Sequence, residues 1–150
     1  MSHTDELFME EALREAQRAQ GLGEVPIGAV VVQDGHIVGR GCNRPVTSHD
    51  PTAHAEVLAV REAGLVVGNY RLIDCDLYVT VEPCAMCAGA ITHARIRRLI
   101  YGAEDPKAGA VHSMLQVLNH PKVNHQVEVT GGVLAARCMD LLQTFFRNKR

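Results

Sequence analysis

Two short segments of the sequence combine residue types that bind metals with a residue type that moves protons. They are His54-Ala55-Glu56 and Pro83-Cys84-Ala85-Met86-Cys87. Cys84 and Cys87 are three residues apart, so on a helix both sulfur atoms lie on one face and can hold one ion. A helix N-terminus also favours the thiolate that a metal requires. If the two helix starts face one another across a sheet, His54 supplies a third ligand.

The number of ligands distinguishes a catalytic zinc site from a structural one. Structural zinc is normally closed by four protein ligands, whereas catalytic zinc keeps one position for water, and this motif offers three ligands. Glu56 lies about 200° around the helix from His54, at ~100° per residue, so we expect it beside the bound water and not on the ion. Zinc lowers the pKa of bound water from about 15.7 to about 7. The pattern therefore predicts hydrolytic attack on an electrophilic carbon, with Glu56 as the proton carrier.

Two other interpretations of the cysteine pair stay open from the sequence. A redox dithiol would need neither His54 nor Glu56. A closed structural zinc site would need a fourth ligand. The residues that could serve are Cys42, Cys75, His49 and His93.

The elements that must position these residues follow from apolar periodicity and turn residues. Thr4 is the predicted cap of a first helix that ends at Gly21. Residues 27–32 and 37–41 predict a β-hairpin around Asp34-Gly35, and Gly28 inside its first strand suggests a close approach, for example by a ligand. Asp50-Pro51 predicts the start of a second helix reaching about Ala63, and Pro83 the start of a third ending near Ala94. The other predicted elements are strands at 77–81, 98–101 and 126–130, a small helix at 114–118 and a last helix over 134–145.

Composition limits the class of protein. The chain has 150 residues, of which 47% are hydrophobic and 21% charged, so we expect one globular domain over residues 1–150. The strands and helices alternate after the hairpin, which favours an α/β sheet covered on both faces. The net charge of -2 does not favour general binding of nucleic acid. Five cysteines, no apolar run near 20 residues and no export signal favour the cytoplasm.

The sequence resembles the cytidine and deoxycytidylate deaminase superfamily, and within it the bacterial tRNA-specific adenosine deaminases. The histidine–glutamate and cysteine segments are the superfamily's zinc motif. The closer resemblance extends nearly from end to end. It rests on Glu24-Val25-Pro26-Ile27-Gly28-Ala29, Asn43-Arg44-Pro45, residues 49–56, Asn69-Tyr70-Arg71-Leu72, residues 77–91, Tyr101-Gly102-Ala103-Glu104-Asp105 and residues 141–147.

This resemblance implies a three-layer α/β/α cytidine-deaminase-like fold with a central mixed five-stranded sheet, and one Zn²⁺ per chain. It implies a hydrolase acting on a cyclic amidine, which converts the wobble adenosine of a tRNA anticodon loop to inosine by zinc-bound hydroxide with Glu56 as proton shuttle. The expected partners are an arginine tRNA and a second copy of the chain in a homodimer.

The resemblance also assigns substrate residues. Asn43 matches the residue that contacts the base, although as a residue type it is equally a turn residue after a strand. Ile27 matches a position that packs on the flipped base, and Asp105 a position near the substrate backbone. Phe145, Phe146 and Arg147 match the C-terminal helix that meets the anticodon loop. Glu104 and His112 depart from the family pattern, which has a basic and a small residue there.

Three alternatives to this function remain at the level of sequence. The same zinc chemistry would serve a deaminase of a free base such as guanine or cytosine. A zinc-stabilised binding protein without turnover, or the redox dithiol protein, would explain the cysteines without Glu56.

Overall fold

Five strands form one mixed sheet in the order β2-β1-β3-β4-β5 in the computed structural model, which describes residues 2–149. β1 is antiparallel to β2 and β3, while β3, β4 and β5 run parallel. The elements in chain order are α1 His3–Gly21, β1 Gly28–Gln33, β2 His36–Cys42, α2 Ala55–Val67, β3 Cys75–Val81, α3 Ala85–His93, β4 Arg98–Ala103, β5 Glu128–Thr130 and α4 Ala135–Asn148. The α/β expectation with a mixed five-stranded sheet is confirmed.

The two faces of the sheet are covered by different helices because side chains alternate along each strand. Ala29 and Val31 of β1 pack in one core with α2 and α3. Val30 and Val32, the intervening residues, pack in a second core with α1 and α4. This alternation gives three layers, α/β/α.

Gly28 is close to another part of the protein, and the structure corrects what that part is. A Cβ at this position would collide with the carbonyl oxygen of Ala12 and the backbone nitrogen of Ala16. Both atoms belong to α1. The glycine therefore allows helix α1 to lie against the sheet, and the suggestion of a ligand there is wrong.

The starts of the first three helices lie two to four residues from the positions that the sequence suggests. Ser2, and not Thr4, caps α1, because its hydroxyl accepts the Asp5 N–H at 3.0 Å. His54 is the N-cap of α2 and Cys84 the N-cap of α3. Two of the three metal-binding candidates, His54 and Cys84, are thus cap residues, while Cys87 lies in the first turn of α3.

Asp50 forms a turn before α2 and does not cap it. Its carboxylate accepts hydrogen bonds from the Thr52 N–H at 2.9 Å and the Thr52 hydroxyl at 2.7 Å, which fixes the loop locally. Helix α2 then continues past Ala63 to Val67, where Gly68 ends it with φ 77°.

The small helix predicted over residues 114–118 is absent. The N–H groups of Met114 and Leu115 both donate to the Gly109 carbonyl, and those of Val117 and Leu118 donate to the Ala110 carbonyl. These contacts form a compact loop and no repeating helical ladder. Among residues 2–149, no helix has the length and apolar character needed to cross a membrane.

A buried carboxylate at the start of α1 makes the stability of the fold depend on pH. Asp5 accepts hydrogen bonds from the Tyr78 hydroxyl at 2.7 Å and from Arg98 Nη2 at 3.0 Å. Burial alone would raise the pKa of Asp5, but the Arg98 and Tyr78 hydrogen bonds and the Arg98 charge hold it below its ordinary value of 3.8. A carboxyl whose pKa is lower in the folded state stabilises the fold above its unfolded pKa, and this contribution is lost as the pH falls through the folded value.

We therefore expect the free energy of unfolding to fall as the pH drops below about 4, and Asp5→Asn to make this fall shallower. Urea unfolding between pH 7 and pH 2.5 measures both. The exposed pair formed by Arg137 and Glu10 supplies the control, since Glu10→Gln should leave the acid slope nearly unchanged. Equal slopes for Asp5→Asn and the unmodified protein would contradict the assignment.

Candidate active site

The candidate residues meet at one edge of the sheet because of its strand directions. β1 starts where β2 ends, and Gly28 pairs with Cys42 there. β3 and β4 also end on this side of the sheet, where Val81 pairs with Ala103. The residues that follow these strand ends, or precede β1, are therefore neighbours. They are Ile27, Asn43, Cys84 and Asp105.

His54, Cys84 and Cys87 come together at the starts of α2 and α3. His54 Nδ1 lies 3.6 Å from Cys84 Sγ and 3.5 Å from Cys87 Sγ. Zn–S bonds of about 2.3 Å and Zn–N bonds of about 2.0–2.1 Å give a tetrahedral sulfur–nitrogen edge of about 3.5 Å. The three donor atoms therefore fit a tetrahedral zinc ion without rearrangement.

The cluster has three members within the described part of the chain. Among residues 2–149, no further histidine, cysteine or acidic atom lies close enough to complete it. The other three cysteines are buried elsewhere: Cys42 is the last residue of β2, Cys75 is the first residue of β3, and Cys138 lies in the second core. His49 is exposed in a loop. The cluster therefore keeps the vertex that a catalytic zinc needs for water and does not form a closed structural site.

Glu56 lies in the first turn of α2, two residues after His54, and its side chain is 5% exposed. It does not belong to the donor cluster. The helical angle predicted between the two residues does not explain this, because His54 is the extended N-cap of α2. Burial raises the pKa of the Glu56 carboxyl to about 7. A buried carboxyl with a pKa near neutrality can both accept and release protons, which is what a general acid and base requires.

The thiol pair also has uneven acidity. The hydrogen bond from Cys87 and the contact with His54 lower the pKa of Cys84 to about 3. The same hydrogen bond and burial raise the pKa of Cys87. The pair therefore holds one proton, which a metal ion would release on binding both sulfur atoms.

A groove at the same end of the sheet is lined by some of the residues that the resemblance assigned to the substrate. Ile27, Asp105 and Phe146 line it, and Val81 at the end of β3 connects it to the cysteine segment. Phe146 is 50% exposed there, whereas Phe145 is buried and contacts it edge-to-face with ring centroids 5.4 Å apart. One phenylalanine therefore packs inside and the other is available for stacking.

Two other assigned residues lie differently. Asn43 is 6% exposed, and its N–H donates to the Ile27 carbonyl at 3.0 Å, so the two residues are held together. Arg147 is exposed but does not line the groove; its guanidinium turns back to the Thr144 hydroxyl at 3.2 Å. Glu104 and His112 are the two departures from the family pattern, and their side chains contact each other, with His112 Nε2 3.0 Å from Glu104 Oε1. Glu104 also lines the groove.

Glu82 is a buried polar residue of this region that sequence reasoning missed. It directly follows the buried strand β3 and is 3% exposed. Burial raises its pKa, but hydrogen bonds from the Ser113 hydroxyl and from the backbone N–H groups of His112, Ser113 and Asp105 lower it to about 2. The sequence did contain a signal for this residue, because a charged side chain stands directly between a buried strand and Pro83-Cys84.

Comparisons with known proteins agree with this geometry. The family described as the cytidine and deoxycytidylate deaminase zinc-binding region matches residues 2–103. A tRNA-specific adenosine deaminase of Haemophilus influenzae is 50% identical over 150 residues, which are 99% of this chain and 87% of the relative. A protein of the same name in Bacillus subtilis is 46% identical over 146 residues, covering 97% of this chain and 91% of the relative.

Solved structures give the same result. A structure from a study of A-to-I editing by tRNA:A34 deaminases at the wobble position superposes with a TM-score of 0.87 at 49% identity, covering 90% of this chain and 98% of that chain. A guanine deaminase from Bacillus subtilis superposes with a TM-score of 0.65 at 36% identity, covering 99% and 95%. The chain therefore belongs to the cytidine and deoxycytidylate deaminase family, and within it to the tRNA-specific adenosine deaminases.

Proposed function

We propose that this chain is a cytoplasmic, zinc-dependent hydrolase that converts the wobble adenosine of a tRNA anticodon loop to inosine. The observation that carries the proposal is the convergence of His54, Cys84 and Cys87 beside the buried carboxylate of Glu56. The names of the relatives supply the substrate class.

The metal ligands in this proposal are His54, Cys84 and Cys87. Their 3.5 and 3.6 Å separations match a tetrahedral site, and the imidazole and thiolates are donors that zinc prefers. When bound, zinc supplies a water whose pKa is lowered to about 7, so that a hydroxide nucleophile is available near neutral pH.

Glu56 carries the protons. Its carboxylate takes one proton from the attacking water and delivers it to N1 of the adenine while the oxygen bonds to C6. It then takes the remaining hydroxyl proton and delivers it to the amino nitrogen, so the C6–N bond breaks and ammonia leaves. The carboxylate is regenerated, and the products are inosine and ammonia. Burial raises the pKa of the Glu56 carboxyl, which helps it to hold a proton between the two transfers.

The substrate base is positioned by the residues around the groove. A base in a loop can leave the stack at less cost than a base in a duplex, which favours an anticodon loop as substrate. The backbones of Asn43 and Ile27 are hydrogen-bonded, so the two residues are adjacent. In this proposal the Asn43 amide pairs with the base edge and Ile27 packs on its ring. Asp105 and Phe146 would contact the neighbouring nucleotides, with Phe146 stacking. Phe145 supports Phe146 from below, and Arg147 would have to leave Thr144 to reach a phosphate.

Two finer points are part of the proposal. The resemblance supports an arginine tRNA as the substrate. It also supports a homodimer, in which a second copy would cover the apolar side chains exposed at the end of α2 and in the following loop. These are Leu65, Val66, Tyr70 and Ile73. Light scattering at micromolar concentration tests the dimer, and a monomer would refute it.

The decisive experiment is a substrate comparison. The zinc-loaded protein is incubated with an anticodon stem-loop carrying a wobble adenosine, with the same stem-loop carrying guanosine there, and with free adenine, guanine and cytosine. We expect inosine and ammonia from the first RNA alone. Activity confined to a free base would overturn the tRNA substrate and leave the zinc chemistry standing. No ammonia from any substrate would favour a binding protein.

Asn43→Ala tests the base contact. Losing a hydrogen bond to a buried base leaves its partner unsatisfied, at about 1–3 kcal/mol. We therefore expect kcat/KM on the stem-loop to fall about 10- to 100-fold, as single-turnover and steady-state kinetics can measure. Asn124→Ala, in an exposed loop, is the matched control and should leave kcat and KM unchanged. Unchanged kinetics for Asn43→Ala would make Asn43 a turn residue only.

A further inference from the structure

The Glu82 carboxylate accepts hydrogen bonds from several residues of one loop. Oε2 accepts the N–H groups of Val111, His112 and Ser113 at 3.1, 2.9 and 3.0 Å. Oε1 accepts the Asp105 N–H at 3.2 Å and also the Ser113 hydroxyl. All of these donors belong to residues 104–113, which we call the substrate loop because Asp105 and its neighbours line the groove.

The substrate loop is also tied to the cysteine segment by backbone contacts. The Ala110 N–H donates to the Pro83 carbonyl at 2.8 Å, and the Glu82 N–H donates to the Ala103 carbonyl at 2.8 Å. Gly109 lies directly on the Glu82 carboxylate, where a Cβ would collide with it. The loop therefore closes around Glu82 one residue before Pro83-Cys84.

The contacts require a carboxylate in particular. Glu82 has no ion-pair partner among residues 2–149, so its buried charge is balanced by hydrogen bonds alone. A carboxylate is acceptor-only at both oxygens, and here both oxygens receive at least two donors. An amide has one acceptor and one donor end, so neither of its orientations can satisfy this ring of donors.

We propose that Glu82 is a positioning residue for the reaction, which holds the substrate loop in register with the metal-ligand segment. It touches neither the zinc donors nor the groove, and it acts through Asp105, whose N–H it accepts. The Asp105 carboxylate is then fixed by the N–H groups of Lys107 and Ala108 at 3.1 and 3.2 Å. The proposal rests on the proposed function, since the loop matters only if it contacts RNA.

Glu82→Gln tests this role in the zinc-loaded full chain. The new NH₂ group would face the Asp105 N–H in one orientation of the amide and the N–H groups of Val111, His112 and Ser113 in the other, so the loop must move away. We expect KM for the wobble-adenosine stem-loop to rise about tenfold or more, with kcat changed less than about threefold. We also expect one zinc per chain and faster amide hydrogen exchange in residues 105–113 only.

A second variant covers the case in which Glu82→Gln does not fold. Ser113→Ala removes one donor from the loop side and leaves Glu82 intact, and it should raise KM about threefold in the same direction. Glu128→Gln makes the same carboxyl-to-amide change at an exposed position on β5 and should leave KM unchanged.

A double-mutant cycle separates positioning from general stability. If Glu82 acts through the loop, Asp105→Ala should raise KM in the unmodified protein and have little further effect together with Glu82→Gln. Unchanged KM in both Glu82→Gln and Ser113→Ala, or full additivity with Asp105→Ala, would overturn the proposal. So would zinc loss with an unchanged KM. Failure of the unmodified protein to deaminate the stem-loop would instead reject the proposed function.

Discussion

Glu56→Gln is expected to remove deaminase activity while zinc stays bound. The amide keeps the size of the side chain but cannot accept a proton from water or deliver one to N1 and the amino group. General acid–base catalysis typically contributes about 10²- to 10⁴-fold, so kcat on the stem-loop should fall by at least that range when one group serves both transfers. Glu56 lies outside the donor cluster, so the zinc content should remain near one per chain. Single-turnover kinetics together with metal analysis measures both quantities.

Glu62→Gln is the matched control for this prediction. Glu62 lies on the same helix, is exposed, and accepts the Arg40 N–H at 3.2 Å. Its replacement should leave kcat within about twofold, because an exposed contact of this kind contributes little. Retention of most activity by Glu56→Gln would remove Glu56 from the proton path. Loss of zinc from the same variant would mean that the carboxylate supports the metal and that its catalytic role cannot be separated from it.

The chemistry of the site could be predicted from sequence because it depends on short spacings. Cys84 and Cys87 are three residues apart and stay close together at a helix start, and Glu56 follows His54 by only two residues. The helical angle expected between His54 and Glu56 does not apply, because His54 is the extended N-cap of α2 and not a residue of the helix. The β-hairpin was predictable for the same reason, since Asp34-Gly35 determines a local turn. That the two helix starts meet was inferred from the pattern together with the resemblance, because no short spacing determines it. The 3.5 and 3.6 Å separations in the cluster now confirm it.

The features that sequence did not reveal depend on contacts between distant segments. Gly28 is required by the backbone of α1, and a single strand carries no information about which helix will cover it. Glu82 is surrounded by donors about 30 residues away, so its role appears only when the loop is folded. The helix starts were misplaced because residues near each start compete for the cap. Asp50 and Thr4 are good caps by residue type, but Asp50 binds its own turn, and Ser2 was already available to α1.

The second large effect is expected for Cys87→Ser, which should lose zinc and, with it, all activity. A serine hydroxyl is not deprotonated at neutral pH and is a poor zinc ligand, so only two of the three donors remain. Loss of an outer hydrogen-bond partner already weakens metal binding about 10- to 100-fold, and loss of a ligand should weaken it more. Zinc should also cease to stabilise the fold, since a ligand stabilises only in proportion to its affinity for the native state. Metal analysis after dialysis, and thermal unfolding with and without added zinc, measure these effects.

Cys75→Ser makes the same thiol-to-hydroxyl change at another fully buried cysteine and separates metal binding from packing. Cys75 lies on β3 in the first core, outside the donor cluster. Both variants should be destabilised, because each buries a hydroxyl where a thiol packed. Only Cys87→Ser should lose the metal and the response of its melting temperature to zinc. A fully zinc-loaded Cys87→Ser protein would exclude Cys87 from the ligand set. Equal zinc loss in both variants would trace the effect to the fold, because a sheet that no longer holds α2 against α3 cannot bring His54 to the sulfur atoms.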